Sequence, residues 1–209
     1  RNRLFEDGQR DARWFDAIET QLAEFGSAIA AARVEIVRLL SGMMEQLPDD
    51  GPFPKADLIL EGGIEALLSS GVSASDVEDQ YRQMLAGNRP RDAAAGRTLD
   101  GPHRSDLLVM HRPKSMPANL SSTGEQKALL IGIVLSLARL VARMTGSAPV
   151  LLLDEIAAHL DAGRREALFG IIDDIGSQAF MTGTDRSLFA ALEGRAEYLT
   201  VSHGVVSGS

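Results

Sequence analysis

The stretch VLLLDEIAAHLD, Val150–Asp161, decides how the rest of the sequence is interpreted. Four apolar residues are followed at once by Asp154 and Glu155. Short, wholly apolar runs are typical of strands in a parallel sheet that is covered on both faces, and open α/β sheets bind ligands at the carboxyl ends of their strands. The alternative is a strand end followed by acids that cap the next helix, because an apolar run before Asp-Glu also occurs by chance.

The two carboxylates after this predicted strand suit different tasks. Asp154 stands where the strand ends, and a carboxylate there can hold Mg²⁺, directly or through its waters, while the ion bridges phosphates. Glu155 follows in another orientation, which suits it to position a water and accept its proton during in-line attack on a γ-phosphate. We therefore predict a metal ligand at Asp154 and a catalytic residue at Glu155.

A second signal is LSSTGEQKALL, Leu120–Leu130, in which a Ser-Thr-Gly turn leads into an apolar helix. Backbone N–H groups and the positive end of the helix dipole form an anion site at such a helix start. The Ser122 hydroxyl and the Gly124 N–H can contact a phosphate there, since glycine lets it approach closely. The alternative is an ordinary capping box, because Glu125 follows Ser122 by three residues.

Strands and helices alternate around these two signals, which predicts an α/β fold with a largely parallel sheet. The helix of residues 125–144 has almost no polar face and is predicted to be buried. The other predicted elements of this region are a strand at 107–111, a Pro-containing loop at 112–119, the strand at 150–153, a helix at 162–175 between an Asp161 cap and a Gly176 stop, a strand at 178–182, a short helix from Asp185 to Gly194 and a hairpin around His203-Gly204.

The first hundred residues have a helical pattern. Apolar residues recur in steps of three and four from Asp11 to about Gln46, which is a heptad seam. Its members are Ile18, Leu22, Phe25, Ile29, Ala32, Ile36, Leu39 and Met43. This helix is either a surface helix of a globular core or an arm projecting from one, and the narrow seam favours the arm. A strand at 55–61 and a second helix, from Ser73 or Ser75 to about Ala95, follow it.

Composition narrows the class of protein only moderately. The 209 residues contain no Cys and carry a net charge of −8. The missing Cys excludes disulfides and thiolate metal sites and suits a reducing cytosol, while the negative charge argues against broad binding to a phosphate backbone. No apolar run is expected to be long enough to cross a bilayer. The charged start at Arg1, in place of Met, is expected of a fragment of a longer chain.

Taken together, the motifs resemble those of cassette-type ATPase heads, including the heads of chromosome-maintenance and repair proteins. SSTGEQKALL resembles their signature loop, Asp154-Glu155 their Walker B acids, and AHLD, ending in Leu160 and Asp161, their D-loop. Two further stretches resemble the RecF family of bacterial recombination-repair ATPases. They are TLDGPHRSDLLV, residues 98–109, with that family's Gly-Pro-His-Arg-x-Asp-Leu motif, and RNRLF followed by WFDAIETQLAEFGSAIAAAR, which resembles the start of its helical arm.

The resemblance covers most of the chain, least so from Asp49 to Asp76, and it implies an architecture. Residues 1–100 would belong to a helical arm, and residues 101–209 would form the C-terminal lobe of an ATP-binding-cassette head. Two heads would sandwich two ATP molecules with Mg²⁺. Asp154 and Glu155 would act in cis, Asp161 would lie at the dimer interface, and the signature residues Ser122, Thr123, Gly124 and Glu125 would act in trans on the γ-phosphate bound to the partner.

The resemblance also implies a biological role. An ATP-dependent homodimer would clamp double-stranded DNA near single-strand gaps and help to load recombinase, in the cytoplasm and away from any membrane. Recombination-mediator proteins would be its partners. Possible DNA contacts are Arg89, Arg91, Arg97 and Arg104, although a solvated basic face is the alternative.

Three departures from the cassette pattern stand out. No G-x-x-x-x-G-K-[S/T] loop occurs in the sequence, so this chain alone is predicted not to hydrolyse ATP. Thr123 takes the place of a signature glycine. The segment AFMTGTD, residues 179–185, has no switch histidine, which leaves Thr182 or Thr184 as candidates for a phosphate contact.

A sheet that lacks strands should also have an exposed edge that invites self-association.

Two other functions remain open. The first is a non-catalytic docking module that kept the cassette fold for dimerisation. The presence of Glu155 argues against a docking module, because a scaffold has no need of a second carboxylate after Asp154. The second is the ATPase half of a transporter, against which the arm helix and the Gly-Pro-His-Arg motif argue.

Overall fold

The computed structural model describes residues 1–8 and 11–208. The helices and strands are, in chain order, α1 (Asn2–Glu6), α2 (Ala12–Glu45), β1 (Ala56–Glu61), α3 (Gly63–Ser69), α4 (Ala74–Gly87), α5 (Arg89–Ala95), β2 (Asp106–His111), β3 (Met116–Pro117), α6 (Thr123–Thr145), β4 (Leu151–Leu153), α7 (Ala162–Ile175), β5 (Ala179–Met181), β6 (Leu199–Ser202) and β7 (Val205–Gly208). The sheets have the strand orders β1-β2-β3, β4-β5 and β6-β7. The predicted α/β class is confirmed.

Contacts divide the chain into two compact units. The first unit comprises Arg1–Gly42 and Asp57–Met110, and the second comprises Met43–Ala56 and His111–Ser209. The predicted division into an arm of residues 1–100 and a head lobe of residues 101–209 concerns the family's architecture, and it stays a prediction.

The core of the second unit forms on one face of the β4-β5 sheet. The two strands are parallel, and Leu151 and Leu153 pair with Ala179 and Met181. Leu151 and Leu153 are buried against Leu168 of α7 and other apolar residues of α6 and α7. On the opposite face, Leu152 is 77% exposed. Among the described residues, then, the sheet is covered on one face, whereas the apolar run at Val150–Leu153 had predicted cover on both.

Helix α6 differs from its prediction in the same way. One side packs into the core through residues such as Ile131 and Leu135. The other side exposes Leu130, Leu137 and Met144, which lie seven residues apart and so share a face. By length and composition alone, α6 is long and apolar enough to cross a membrane. The expectation that no such run exists is therefore wrong, although core helices of soluble proteins pass the same test.

Local signals fix the ends of the elements after α6. The Asp161 carboxylate accepts a hydrogen bond from the backbone N–H of Arg164 at 2.9 Å, and α7 ends at Gly176, which has a φ of 73°. Both were predicted, because Asp is a preferred N-cap and glycine a preferred residue after the last helical turn. Asp185 likewise caps the short 3-10 helix that ends at Leu192.

The core of the first unit packs α2 against α3 and α4 through small residues. Ala23 and Ala30 of α2 are fully buried beside Ile64 and Tyr81. A Cβ at Gly26 would lie 2.6 Å from the ring of Tyr81, so only glycine permits this approach. Within the first unit, α2 thus packs against α3 and α4, and whether this unit is an arm of a larger head stays a prediction.

The predicted seam of α2 is wrong in the middle of the helix. Phe25, Ile29 and Ile36 are exposed, Phe25 by 62%. The face of α2 that packs carries Ala23, Gly26 and Ala30. Tyr81 can approach the helix backbone closely at Gly26, because glycine has no side chain.

The helix predicted from Ser73 to about Ala95 is two helices. Ser73 caps α4 through the backbone N–H of Asp76 at 3.2 Å, and the chain leaves helical geometry at Asn88. Pro90 then lies in the first turn of α5, where its missing N–H costs nothing. Helix α3 was not predicted.

The Gly-Pro-His-Arg turn ties the first unit together. The Arg33 side chain donates to the carbonyl of Pro102, and the His103 ring lies 3.1 Å from the carbonyl oxygen of Thr98. Tyr81 donates to the carbonyl of Asp100 at 3.3 Å, and burial raises the pKa of Tyr81 to about 12. Pro102 of the motif is buried, whereas His103 and Arg104 are exposed.

A buried ion network joins α2, α4 and α5 of the same unit. The Arg1 guanidinium donates to Glu19 at 2.8 Å, to Asp92 at 2.6 Å and to the carbonyl of Leu85 at 2.5 Å, and the side chains of Arg1, Glu19 and Asp92 are at most 2% exposed. Arg89 also pairs with Glu19, whose hydrogen bonds hold the pKa of Arg89 well above its usual range.

Ion pairs thus occupy two of the four arginines suggested as DNA contacts. Arg89 pairs with Glu19 and Asp16, and Arg91 pairs with Asp100. Arg97 and Arg104 are exposed. The DNA-contact surface stays unassigned.

Candidate functional site

Asp154 and Glu155 lie directly after β4, both exposed. Glu155 has a φ of 50°, in the left-handed region. That conformation costs an L-residue other than glycine about 1–2 kcal/mol, and such strain concentrates at functional sites. The backbone therefore turns sharply between the buried strand and the next segment, at the second of the two predicted site carboxylates.

Thr182 joins these two residues. Its hydroxyl donates to Asp154 Oδ1 at 2.5 Å and accepts from the backbone N–H of Glu155 at 2.9 Å. The backbone N–H of Thr182 donates to the carbonyl of Leu153 at 3.1 Å, which continues the parallel register of β4 and β5 by one residue. The carboxyl ends of the two strands thus bring Asp154, Glu155 and Thr182 into one hydrogen-bonded group.

The other residues predicted near the pair follow it along the chain. Leu160 is buried in the core, 4% exposed, and its carbonyl accepts a hydrogen bond from the Arg165 side chain at 2.5 Å. Asp161 is exposed and caps α7. Thr184 is exposed in the loop after β5. Asp161 therefore caps the helix through Oδ1, as predicted, while its Oδ2 lies 3.6 Å from the Arg164 side chain.

The predicted signature residues form a second group, at the start of α6. The Ser122 hydroxyl accepts from the Glu125 N–H at 3.4 Å, and both the hydroxyl and the N–H of Ser122 donate to Glu125 Oε2, at 2.9 and 3.0 Å. This is the capping box that the sequence allowed. Thr123 and Gly124 are exposed, and a Cβ at Gly124 would meet nothing within 4 Å. Contacts within the described chain therefore do not explain the glycine.

Lys114 completes this second group, and sequence reasoning missed it. Its ammonium lies 2.5 Å from Glu125 Oε1. The hydrogen bond from Lys114, followed by those from Ser122, lowers the pKa of Glu125 to about 2. The carboxylate of Glu125 is thus held in its charged form while it accepts both hydrogen bonds that Ser122 donates.

Replacing Lys114 by methionine should raise the pKa of Glu125 towards its usual value of 4.5. Because the native pKa lies below the unfolded one, these bonds stabilise the fold above about pH 4.5 and lose their effect as the pH falls towards 2. An NMR titration of the Glu125 carboxyl measures the change, with Lys127→Met as the matched control. An unchanged pKa in Lys114→Met would show that Ser122 alone holds the carboxylate.

Within the described residues, 1–8 and 11–208, no hydrogen bond or ion pair joins the Asp154 group to the Ser122 group. Across the same residues, no cluster of three or more His, Cys, Asp or Glu side chains could hold a metal ion. Asp154 is therefore a single-carboxylate candidate. This fits Mg²⁺, which keeps several waters and usually binds one or two carboxylates together with substrate phosphates.

No family model matches the chain, whereas its relatives and the similar solved structures share one name. The chain is 67% identical over 206 residues to the "DNA replication and repair protein RecF" of Mesorhizobium japonicum, covering 99% of this chain and 54% of that protein. The Brucella abortus protein of the same name is 63% identical over 209 residues, and the Rhizobium meliloti protein 57% over 208 residues. The chain spans about half the length of the curated relatives it matches.

Solved structures give the same fold. The structure described as "the recombination mediator protein RecF-ATPrS in RecFOR pathway" superposes with a TM-score of 0.81 at 22% identity, over 99% of this chain and 54% of that one. The corresponding RecF-ATP structure superposes with a TM-score of 0.77 at 22% identity. At this identity the likeness shows that the backbone is folded as in about half of those chains.

Proposed function

The chain belongs to the RecF family of DNA replication and repair proteins, and from that premise we propose that it supplies the Walker B and signature half of an ATP-dependent DNA-binding protein in recombinational repair. One observation carries the proposal. Asp154 and the left-handed Glu155 lie together at the carboxyl end of a parallel strand, tied by Thr182. This is where an α/β sheet binds a ligand.

The two carboxylates act in cis on the bound ATP. Asp154 would hold Mg²⁺, which when bound neutralises developing charge on the phosphate oxygens. Glu155 accepts the proton of the water that attacks the γ-phosphate. The strained backbone at Glu155 supports its catalytic role, because a docking module would gain nothing from a strained second carboxylate.

The turn before α6 acts in trans on the nucleotide of the partner subunit. The Ser122 hydroxyl and the N–H groups of Thr123 and Gly124 face a phosphate at the positive end of the helix dipole. Glu125, which holds Ser122 within the chain, is exchanged for the phosphate on assembly. Asp161, which caps α7 with one oxygen and pairs with Arg164 through the other, lies at the interface with the opposite subunit.

ATP binding then drives assembly of a homodimer, and the dimer holds double-stranded or gapped DNA. Recombination-mediator proteins are its partners, and the cytoplasm is its compartment. The relatives are DNA replication and repair proteins, and the RecF-ATP structure is that of a recombination mediator protein in the RecFOR pathway, which supports this role.

The test uses a full-length chimera, in which this chain replaces the matching 206-residue half of the Mesorhizobium japonicum relative. ATP hydrolysis is measured for this chain alone and for the chimera, with and without gapped duplex DNA. We expect no hydrolysis by the chain alone, and hydrolysis by the chimera that gapped DNA stimulates. A chimera that dimerises and binds DNA but never hydrolyses ATP would support the docking module instead.

A further inference from the structure

We propose that Thr182 is a positioning residue, which holds the proposed metal ligand and the proposed general base in a fixed relation through one hydroxyl group. The inference rests on the proposed ATPase function. It concerns a residue that the sequence had suggested for a different task, a direct contact to the γ-phosphate.

The geometry leaves the hydroxyl no spare donor. A threonine hydroxyl has one O–H to give, and Thr182 gives it to Asp154 Oδ1 at 2.5 Å. At the same time the oxygen accepts the N–H of Glu155 at 2.9 Å. While these bonds stand, Thr182 cannot donate to a phosphate, so it acts on the nucleotide only through the two carboxylate residues.

Each of the two hydrogen bonds has its own consequence. The bond to Oδ1 orients the Asp154 carboxylate and leaves Oδ2 for a metal or its waters. The bond from the Glu155 N–H gives a partner to the backbone of a residue whose φ is 50°. Without that partner, the strained conformation is less well fixed, and the Glu155 side chain loses its orientation.

The position of Thr182 is set by the sheet. Its own N–H donates to the carbonyl of Leu153 at 3.1 Å, and Leu153 pairs with Met181 in the parallel register. The side chain thus reaches the end of β4 from the residue that follows the neighbouring strand β5. Residues that orient a metal ligand from such a position typically change activity or metal affinity about 10–100-fold when they are lost.

The first test compares three variants of the full-length chimera. Thr182→Val removes the hydroxyl at nearly constant shape, Thr182→Ser keeps it, and Thr200→Val makes the same change on the exposed strand β6. Thr182→Val should lower kcat about 10–100-fold and raise the Mg²⁺ concentration needed for half activity. KM for ATP should change little, because most contacts to the phosphates come from a G-x-x-x-x-G-K-[S/T] loop. That loop does not occur in this chain, so the substitution leaves it unchanged. Thr182→Ser should restore kcat, and Thr200→Val should match the parent.

A second measurement does not depend on hydrolysis. Hydrogen exchange of the Glu155 amide, followed by NMR in this chain, should be faster in Thr182→Val and normal again in Thr182→Ser. A chimera without any ATPase activity would overturn the proposed function, whereas an active chimera with unchanged kcat and Mg²⁺ requirement in Thr182→Val would overturn the positioning role. Unchanged amide exchange in Thr182→Val would contradict the hydrogen-bond geometry itself.

Discussion

Replacing Glu155 by glutamine should lower ATP hydrolysis by the full-length chimera about 100-fold or more, since a positioned general base contributes roughly 10²–10⁴-fold to such a reaction. The amide has the size of the carboxylate but cannot accept the proton of the attacking water. The hydrogen bond between the Glu155 N–H and Thr182 involves the backbone, so the substitution leaves it in place. ATP should therefore still bind and still drive dimerisation.

Two measurements on the same samples separate catalysis from assembly. Steady-state phosphate release reports turnover, and light scattering during gel filtration with ATP reports the dimer. Glu166→Gln, an exposed change on α7, is the matched control. Turnover within threefold of the parent would remove Glu155 from the catalytic role. Loss of both turnover and the dimer would mean that Glu155 is needed for assembly.

The second large effect is expected at Glu19, in the ion network of the first unit. Glu19 is 1% exposed and accepts hydrogen bonds from both Arg1 and Arg89. Removing one partner of a buried ion pair typically costs about 3–5 kcal/mol, because the other charge stays buried without compensation. Glu19→Ala should therefore lower the free energy of unfolding of this chain by that amount. Asp92, which also binds Arg1, can offset part of the loss.

Chemical denaturation of this chain, followed by circular dichroism, measures the change. Glu24→Ala is the control, since Glu24 lies on the same helix with its side chain exposed. It should shift the free energy of unfolding by about 0.5 kcal/mol at most, as surface substitutions usually do. A loss below about 1 kcal/mol in Glu19→Ala would show that water reaches the network in solution and screens it.

Features with a local signal could be predicted from the sequence. The Asp161 cap and the Gly176 stop bound α7 as expected, because caps and stops act within one helical turn. The position of Asp154 and Glu155 directly after β4 was also predictable, because the apolar run before them marks a short buried strand. Thr182 could have been assigned to Asp154 by counting from the ends of the two strands, since parallel strands pair in step.

Features that join distant parts of the chain could not. The Arg1–Asp92 pair unites the first residue with one in α5, and no local pattern marks either as buried. The face on which α2 packs was mispredicted because hydrophobic periodicity gives weight to Phe25 and Ile29, whereas Tyr81 needed the small residues at 23, 26 and 30. The hydrophobic pattern favoured the face with the large apolar residues, whereas packing against α3 and α4 selected the face with the small ones.

The apolar stretches at β4 and α6 show a different limit. Their composition predicted burial on all sides, and the described residues bury one side of each. An apolar pattern states that a surface needs cover, but it does not state which residues provide it. Self-association through an exposed sheet edge stays a prediction for the same reason, because the sequence does not identify what covers that edge.

The contact between Tyr81 and Gly26 also constrains how this protein can change during evolution. Alanine at position 26 would place its Cβ 2.6 Å from the Tyr81 ring. Gly26 therefore cannot be replaced while Tyr81 keeps this position. A lineage could acquire a side chain at position 26 only after position 81 had given up its ring, and the hydroxyl contact to the Asp100 carbonyl with it. The order in which substitutions at positions 26 and 81 are accepted is therefore set by one aromatic ring.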